Sequence, residues 1–153
     1  MFNIVLVEPE IPQNTGNIAR TCAATGASLH LVHPLGFSVD DRSLKRAGLD
    51  YWHLLDVHHY DNLEHFLAVH GGKTLWLATT KGSVWHTEVS YRPGDFLLFG
   101  KETKGLPAEL LAARPHHRIR LPMREDARSL NLSNAVAVVV YEALRQNNFA
   151  GLK

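Results

Sequence analysis

The sequence predicts an α/β domain: a mostly parallel sheet with helices on both faces. Two observations carry this. Apolar runs at Ile4-Val5-Leu6-Val7, Leu29-His30-Leu31-Val32, Leu75-Trp76-Leu77-Ala78, Phe96-Leu97-Leu98-Phe99 and Ile119-Arg120-Leu121 are short, and most are too continuous for strands with one face in water. Helical patterns alternate with them, and strands separated by helices need crossovers that cover both sides of a sheet. With 153 residues, 45% of them hydrophobic, the chain can bury one sizeable core and fits a single domain over residues 1–153.

The helical patterns are clearest over residues 16–25, 62–69, 107–113 and 133–147. Ile18, Ala19 and Cys22 give the first an apolar side. Leu54-Leu55-Asp56-Val57-His58 can add a strand, and residues 36–50 read as loop with a short helical turn from Arg42 to Ala47. The last helix has the strongest period: Val136, Val139, Val140, Ala143 and Leu144 follow i, i+3, i+4, i+7, i+8 and form one stripe toward a core. Val138 and Tyr141 lie off that stripe. They predict a second buried side, against a partner chain.

No apolar run approaches bilayer length, and the start Met1-Phe2-Asn3-Ile4-Val5 lacks the basic flank of a signal peptide, so a cytoplasmic protein is expected. The lone Cys22 excludes an intrachain disulfide and is read as packing. Net charge is only +1. Its distribution says more: residues 101–128 hold seven Lys or Arg against four acids, a modest basic segment suited to phosphate or to plain solvation.

Several chemistries are excluded by spacing. Gly100 and Gly105 stand as in a P-loop, but Leu106-Pro107 replaces the lysine and hydroxyl that nucleotide hydrolysis needs. The first strand leads into Glu8-Pro9-Glu10-Ile11-Pro12 rather than a dinucleotide-binding glycine fingerprint. Ten histidines include no ligand spacing for a metal, and they read as scattered over the surface. Ser129 and Ser133 lack the surroundings of a hydrolase nucleophile.

Three polar clusters remain, each after a strand-like run: Asn14-Thr15-Gly16-Asn17-Ile18-Ala19-Arg20, Gly100-Lys101-Glu102-Thr103-Lys104-Gly105-Leu106, and Ser129-Leu130-Asn131-Leu132-Ser133-Asn134-Ala135. A helix start needs one or two small polar caps, not the four of the last cluster. Arg20, close to Asn14 and Asn17 at a helix start, suggests an anion held by the helix N-terminus and the guanidinium together.

In this order and spacing the clusters, with Leu121-Pro122-Met123, Glu8-Pro9-Glu10-Ile11-Pro12 and Arg46-Ala47-Gly48-Leu49-Asp50-Tyr51, resemble the SPOUT class of RNA methyltransferases. Its minimal single-domain members methylate the ribose 2′-hydroxyl of a tRNA wobble nucleotide. The resemblance implies a C-terminal trefoil knot, a homodimer through the last helix, and tRNA, through its anticodon stem-loop, as partner. It implies S-adenosylmethionine as methyl donor, held by Ala78, Thr79, Gly100, Glu102, Gly105, Leu121, Met123, Ser129, Leu130 and Leu132. Arg20, Asn14, Ser129 and Asn131 are the implied catalytic residues. Lys101 lies outside the pattern and reads as added charge. A guanidinium keeps its proton at neutral pH, so Arg20 is expected to act as a cation. Two alternatives are a non-catalytic RNA-binding protein of the same fold and a nucleotide-dependent oxidoreductase.

Overall fold

The computed structural model describes residues 1–42, 44, 46 and 51–153. Its sheet has seven strands in the order β3-β2-β1-β6-β4-β7-β5, and every pairing is parallel. They are β1 (Asn3–Val7), β2 (Ser28–Val32), β3 (Val57–Tyr60), β4 (Leu75–Ala78), β5 (Val84–Trp85), β6 (Phe96–Phe99) and β7 (Arg118–Arg120). The α-helices whose whole span is described are α1 (Pro12–Thr25), α2 (Leu63–His70), α3 (Ala108–Ala113) and α4 (Leu132–Gln146).

Alternation along the strands sorts two cores. Ile4, Leu6, Leu29, Leu31, Leu97, Phe99 and Ile119 face Ile18, Ala19 and Cys22 of α1 and the stripe Val136, Val139, Val140, Ala143 and Leu144 of α4. Val5, Val7, Leu75, Leu77 and Leu98 face Phe66 of α2 and Leu106 and Leu110 around α3. The central strands are therefore buried on both sides, which explains their lack of polar alternation. Cys22 belongs to the first core, and burial pushes its thiol up to about 12, as suits packing rather than reactivity.

Element ends differ from the sequence reading for local reasons. The first helix begins at Pro12 rather than residue 16, because proline suits a first helical turn. The third strand is Val57–Tyr60 rather than 54–58: Leu54 and Leu55 close turns onto Tyr51 and Trp52, and Leu54 lies exposed. Strand β5 is only two residues long and gave no readable period. Arg42, Leu44 and Arg46 are helical as expected. The rest of that turn, and Ala47 to Asp50 of the family-like stretch from Arg46 to Tyr51, fall outside the described residues.

Several histidines are exposed as expected, among them His53, His65 and His116, but five others cluster around β2 and β3 rather than scatter. His30 is buried in β2, bonded through Nδ1 to the Tyr60 hydroxyl at 2.8 Å and through Nε2 to Asn3 Oδ1 at 3.0 Å. His58 stacks on it, His70 reaches the same Tyr60 hydroxyl, and His33 meets His59 at 2.9 Å. The adjacent His58 and His59 do diverge, each joining a different ring. Desolvation, then the like-charged neighbours His58 and His70, hold His30 neutral, at about 3.

Candidate functional site

All strands point the same way, so the loops that leave their carboxyl ends gather along one edge, where open parallel sheets bind ligands. The three expected donor loops leave neighbouring strands. Ala78 ends β4, Gly100 follows β6, and Leu121 follows β7, with β6, β4 and β7 side by side.

At this edge a chain of hydrogen bonds joins all three polar clusters. The Glu102 carboxylate accepts from the backbone N–H groups of Glu10 and Ile11, each at 2.8 Å, and from Asn14 Nδ2 at 3.1 Å. Asn14 Oδ1 accepts from Asn131 Nδ2 at 3.0 Å. Asn131 Oδ1 in turn accepts from the backbone N–H groups of Ser133 and Asn134 and from the Ser133 hydroxyl. The N-cap Ile11 of α1 has no side-chain cap of its own, and the negative charge of Glu102 takes that place against the positive end of the helix. The anion at the α1 N-terminus is thus a carboxylate of this chain. The phosphate envisaged there from the sequence finds the helix end taken, and both Glu102 oxygens engaged, so any part of Glu102 in donor binding falls to its backbone.

Further bonds tie the loop after β1 to the loop after β6. Glu10 Oε1 accepts from the backbone N–H and hydroxyl of Thr103, which hold its carboxyl below the usual range. Lys101 Nζ lies 3.4 Å from Glu8 Oε1, so it is part of the latch rather than added charge. Glu8 itself has φ +54, a backbone conformation uncommon outside glycine and a mark of a constrained segment. Within the loop after β6, a Cβ on Gly100 would collide with the backbone of Gly105, so only glycine allows that crossing. Gly105 has φ +68 and nothing near its missing Cβ, so it presents bare backbone to open space.

The other predicted residues divide. Asn131 is the α4 N-cap, and Ser133 supports it; these two explain half of the polar crowding at that helix start. Ser129, Leu130 and Asn134 are exposed, Met123, Leu121 and Leu132 are half-buried, and all lie on or beside the loop between β7 and α4. Arg20 is exposed on α1, its guanidinium carbon 5.0 Å from the Tyr51 ring centre, and no hydrogen bond ties it to the Asn14 network. It lies about 9 Å further along the helix than Asn14. Sequence reasoning quoted Glu8, Glu10 and Thr103 within family-like stretches but gave them no role: what two carboxylates spaced by two hold cannot be read until the loop they meet is known. Among the described residues no group of three or more His, Cys, Asp or Glu could hold a metal ion.

The model of the SpoU rRNA Methylase family matches residues 1–141. The chain belongs to this family. It is 54% identical over 152 residues to the tRNA (cytidine(34)-2′-O)-methyltransferase of Escherichia coli K12, covering 99% of this chain and 97% of that one. It is 53% identical to the enzyme of the same name from Methylovorus glucosotrophus, over 99% of both chains. A solved structure that addresses the 2-OH methylation of C/U34 on tRNA superposes with a TM-score of 0.92 at 47% identity, over 97% of each chain. An AdoMet-bound rRNA methyltransferase from Sinorhizobium meliloti, 28% identical, superposes at 0.85, with 94% of this chain matching 56% of that one. The fold expected from the apolar and helical patterns, a mostly parallel sheet covered on both faces, is the fold these relatives share.

Proposed function

We infer that the chain is an S-adenosylmethionine-dependent methyltransferase that acts on the ribose 2′-hydroxyl of the tRNA wobble nucleotide. The single observation that carries this reading is the Glu102–Asn14–Asn131 chain of hydrogen bonds, which locks three family motifs, after β1, β6 and β7, beside the expected donor loops. These loops fit the donor: Gly105 offers open backbone, and Ala78, Thr79 and residues 121–132 emerge beside it. When bound, the donor supplies a methyl group on a sulfonium, open to attack by an oxygen in line with the carbon–sulfur bond.

This chain's residues then have positional tasks. Asn14 and Glu102 fix the loops relative to α1. Asn131 fixes the start of α4 and with it the Ser129–Leu130 segment. Arg20, a permanent cation, holds the phosphate next to the reacting ribose and polarises the hydroxyl. Orientation of this kind supplies several kcal/mol.

A homodimer through α4 is part of the reading. Asn14 and Asn131 meet at the starts of α1 and α4, while Ala24 and Tyr141 line one surface hollow of about 430 Å³ near their ends, so the helices run parallel. Val138, Tyr141 and Phe149 leave apolar surface exposed beside them, and Arg20 lies on the exposed side of α1. A second copy seated there would bring Arg20 toward the partner's loops, which its own fold does not do. The trefoil knot is part of the reading as a feature of the family; in this chain the end of α4 is held to the segment between β5 and β6, with Gln146 and Asn147 bonding to Val89 and Tyr91. No described helix is long and apolar enough to cross a membrane, in keeping with work on tRNA in the cytoplasm.

The test is transfer of label from tritiated S-adenosylmethionine to bulk tRNA, with the product digested to locate the modified nucleotide. Label on the wobble ribose is expected; tRNA binding without label would favour the non-catalytic alternative. Mixing Arg20→Ala with a donor-loop variant, after subunit exchange, is expected to recover up to about one quarter of the sites. A monomer in light scattering would remove the dimer.

A further inference from the structure

The far edge of the sheet carries an aromatic and two arginines that the reaction site does not use. Arg118 and Arg120 alternate on β7, and Trp85 of β5 pairs in register with Arg120. Arg118 pairs with Leu77, which belongs to the α2 and α3 core, so all three side chains leave the sheet on that side. Helix α3 sits over β6 and β4 through Leu106 and Leu110 and stops short of this edge. Trp85 is 50% exposed in consequence. Arg120 Nε is buried yet has no hydrogen-bond partner, an unmet donor next to an open indole. No ion pair of the described residues neutralises either arginine.

We propose that Trp85, Arg118 and Arg120 form a contact site for an unpaired nucleotide of the RNA substrate, the indole stacking on its base and the guanidiniums taking its phosphate. Charge and shape both point to this occupant. A flat aromatic beside fixed cations matches the base-and-phosphate repeat of single-stranded RNA, and stacking accepts any base. The backbone that carries the indole is also held in place: Glu88 Oε1 accepts from the Trp85 backbone N–H at 2.8 Å, and His86 N donates to Arg120 O at 2.8 Å. The segment begins at Thr79, whose N–H donates to Ile119 O, so the site adjoins the loop assigned to the donor. A nucleotide held there is a neighbour of the reacting one in the same strand.

This site rests on the tRNA reading above, and one titration separates the two. Fluorescently labelled tRNA is titrated with wild type, Trp85→Ala, Trp85→Phe and Arg118→Ala at several salt concentrations, with donor affinity and Tm measured on the same samples. Trp85→Ala is expected to weaken RNA binding roughly tenfold, and Trp85→Phe to recover most of it. Arg118→Ala is expected to lower the slope of log K against log salt by about one. Donor affinity and Tm stay at wild-type values in all three. Unchanged RNA affinity in Trp85→Ala overturns the proposal, as does a parallel loss of donor affinity or failure of the phenylalanine to restore binding. A wild type that does not bind tRNA overturns the substrate reading itself.

Discussion

The two ends of the same sheet are both rich in polar side chains, and they use them differently. Toward the amino ends of the strands, His30 bonds to Asn3 and Ser28 to Asp56 between neighbouring segments; Asp56 takes His58 and Ser28 at 2.9 and 2.8 Å. At the carboxyl ends, Glu102, Asn14 and Asn131 join segments about ninety to one hundred and twenty residues apart in sequence and leave Ser129 and Asn134 free at the surface. Saturation of hydrogen bonds alone therefore does not mark a site. What marks the carboxyl end is that its bonds hold loops, which carry bare glycine backbone and exposed polar groups, rather than strands already fixed by their ladders.

The sharpest break of this comparison is Arg20→Ala. Transfer to tRNA is expected to fall at least a hundredfold with donor affinity nearly unchanged, since Arg20 takes no part in the loop network; calorimetry and a transfer assay on one sample check this. An equal loss of donor affinity would place Arg20 in the donor pocket instead.

Glu102→Ala should act on both properties. It removes a carboxylate that caps α1 and holds Asn14, which costs about 2 kcal/mol, a fall in Tm of roughly 5 °C, and it frees the loops so that donor affinity and rate drop together. Glu102→Gln keeps the acceptor oxygen and should lie between. A Tm effect without any effect on donor binding would show that the latch is structural only.

At the amino end the expected effect is on stability alone. His30 is neutral in the fold, with a pKa of about 3 set by desolvation and then by His58 and His70, whereas in the unfolded chain it titrates near 6.5. The unfolded state binds more protons between those values, so this contribution is complete above 6.5 and is lost as pH falls toward 3. Between pH 7 and pH 5 the loss is about 2 kcal/mol, and His59 and His70, also shifted down by burial, add in the same direction. Chemical denaturation of wild type and His30→Leu at both pH values measures it. The variant should lose less on acidification, with transfer at pH 7 unaffected by the change in slope.

Much of the architecture was legible before the structure. Five of the strands, the stripe of α4 and the three polar clusters follow from apolar periodicity and turn chemistry, which act over a few residues and so are written locally. The family resemblance pointed to the same three loops, because their glycines and amides stand at set spacings. Other features depended on neighbours distant in the chain. Strand β5 exists because β7 offers it an edge; His30 is buried because Tyr60 and Asn3 arrive from other strands; Glu102 caps α1 from about ninety residues away. The sequence by itself determined which segments are strand or helix and which polar clusters could carry chemistry, since hydrophobic period and helix capping are short-range. The tertiary structure alone decided which of those polar groups satisfy one another and which remain available, because a hydrogen bond needs its partner within about 3 Å, whatever the distance along the chain.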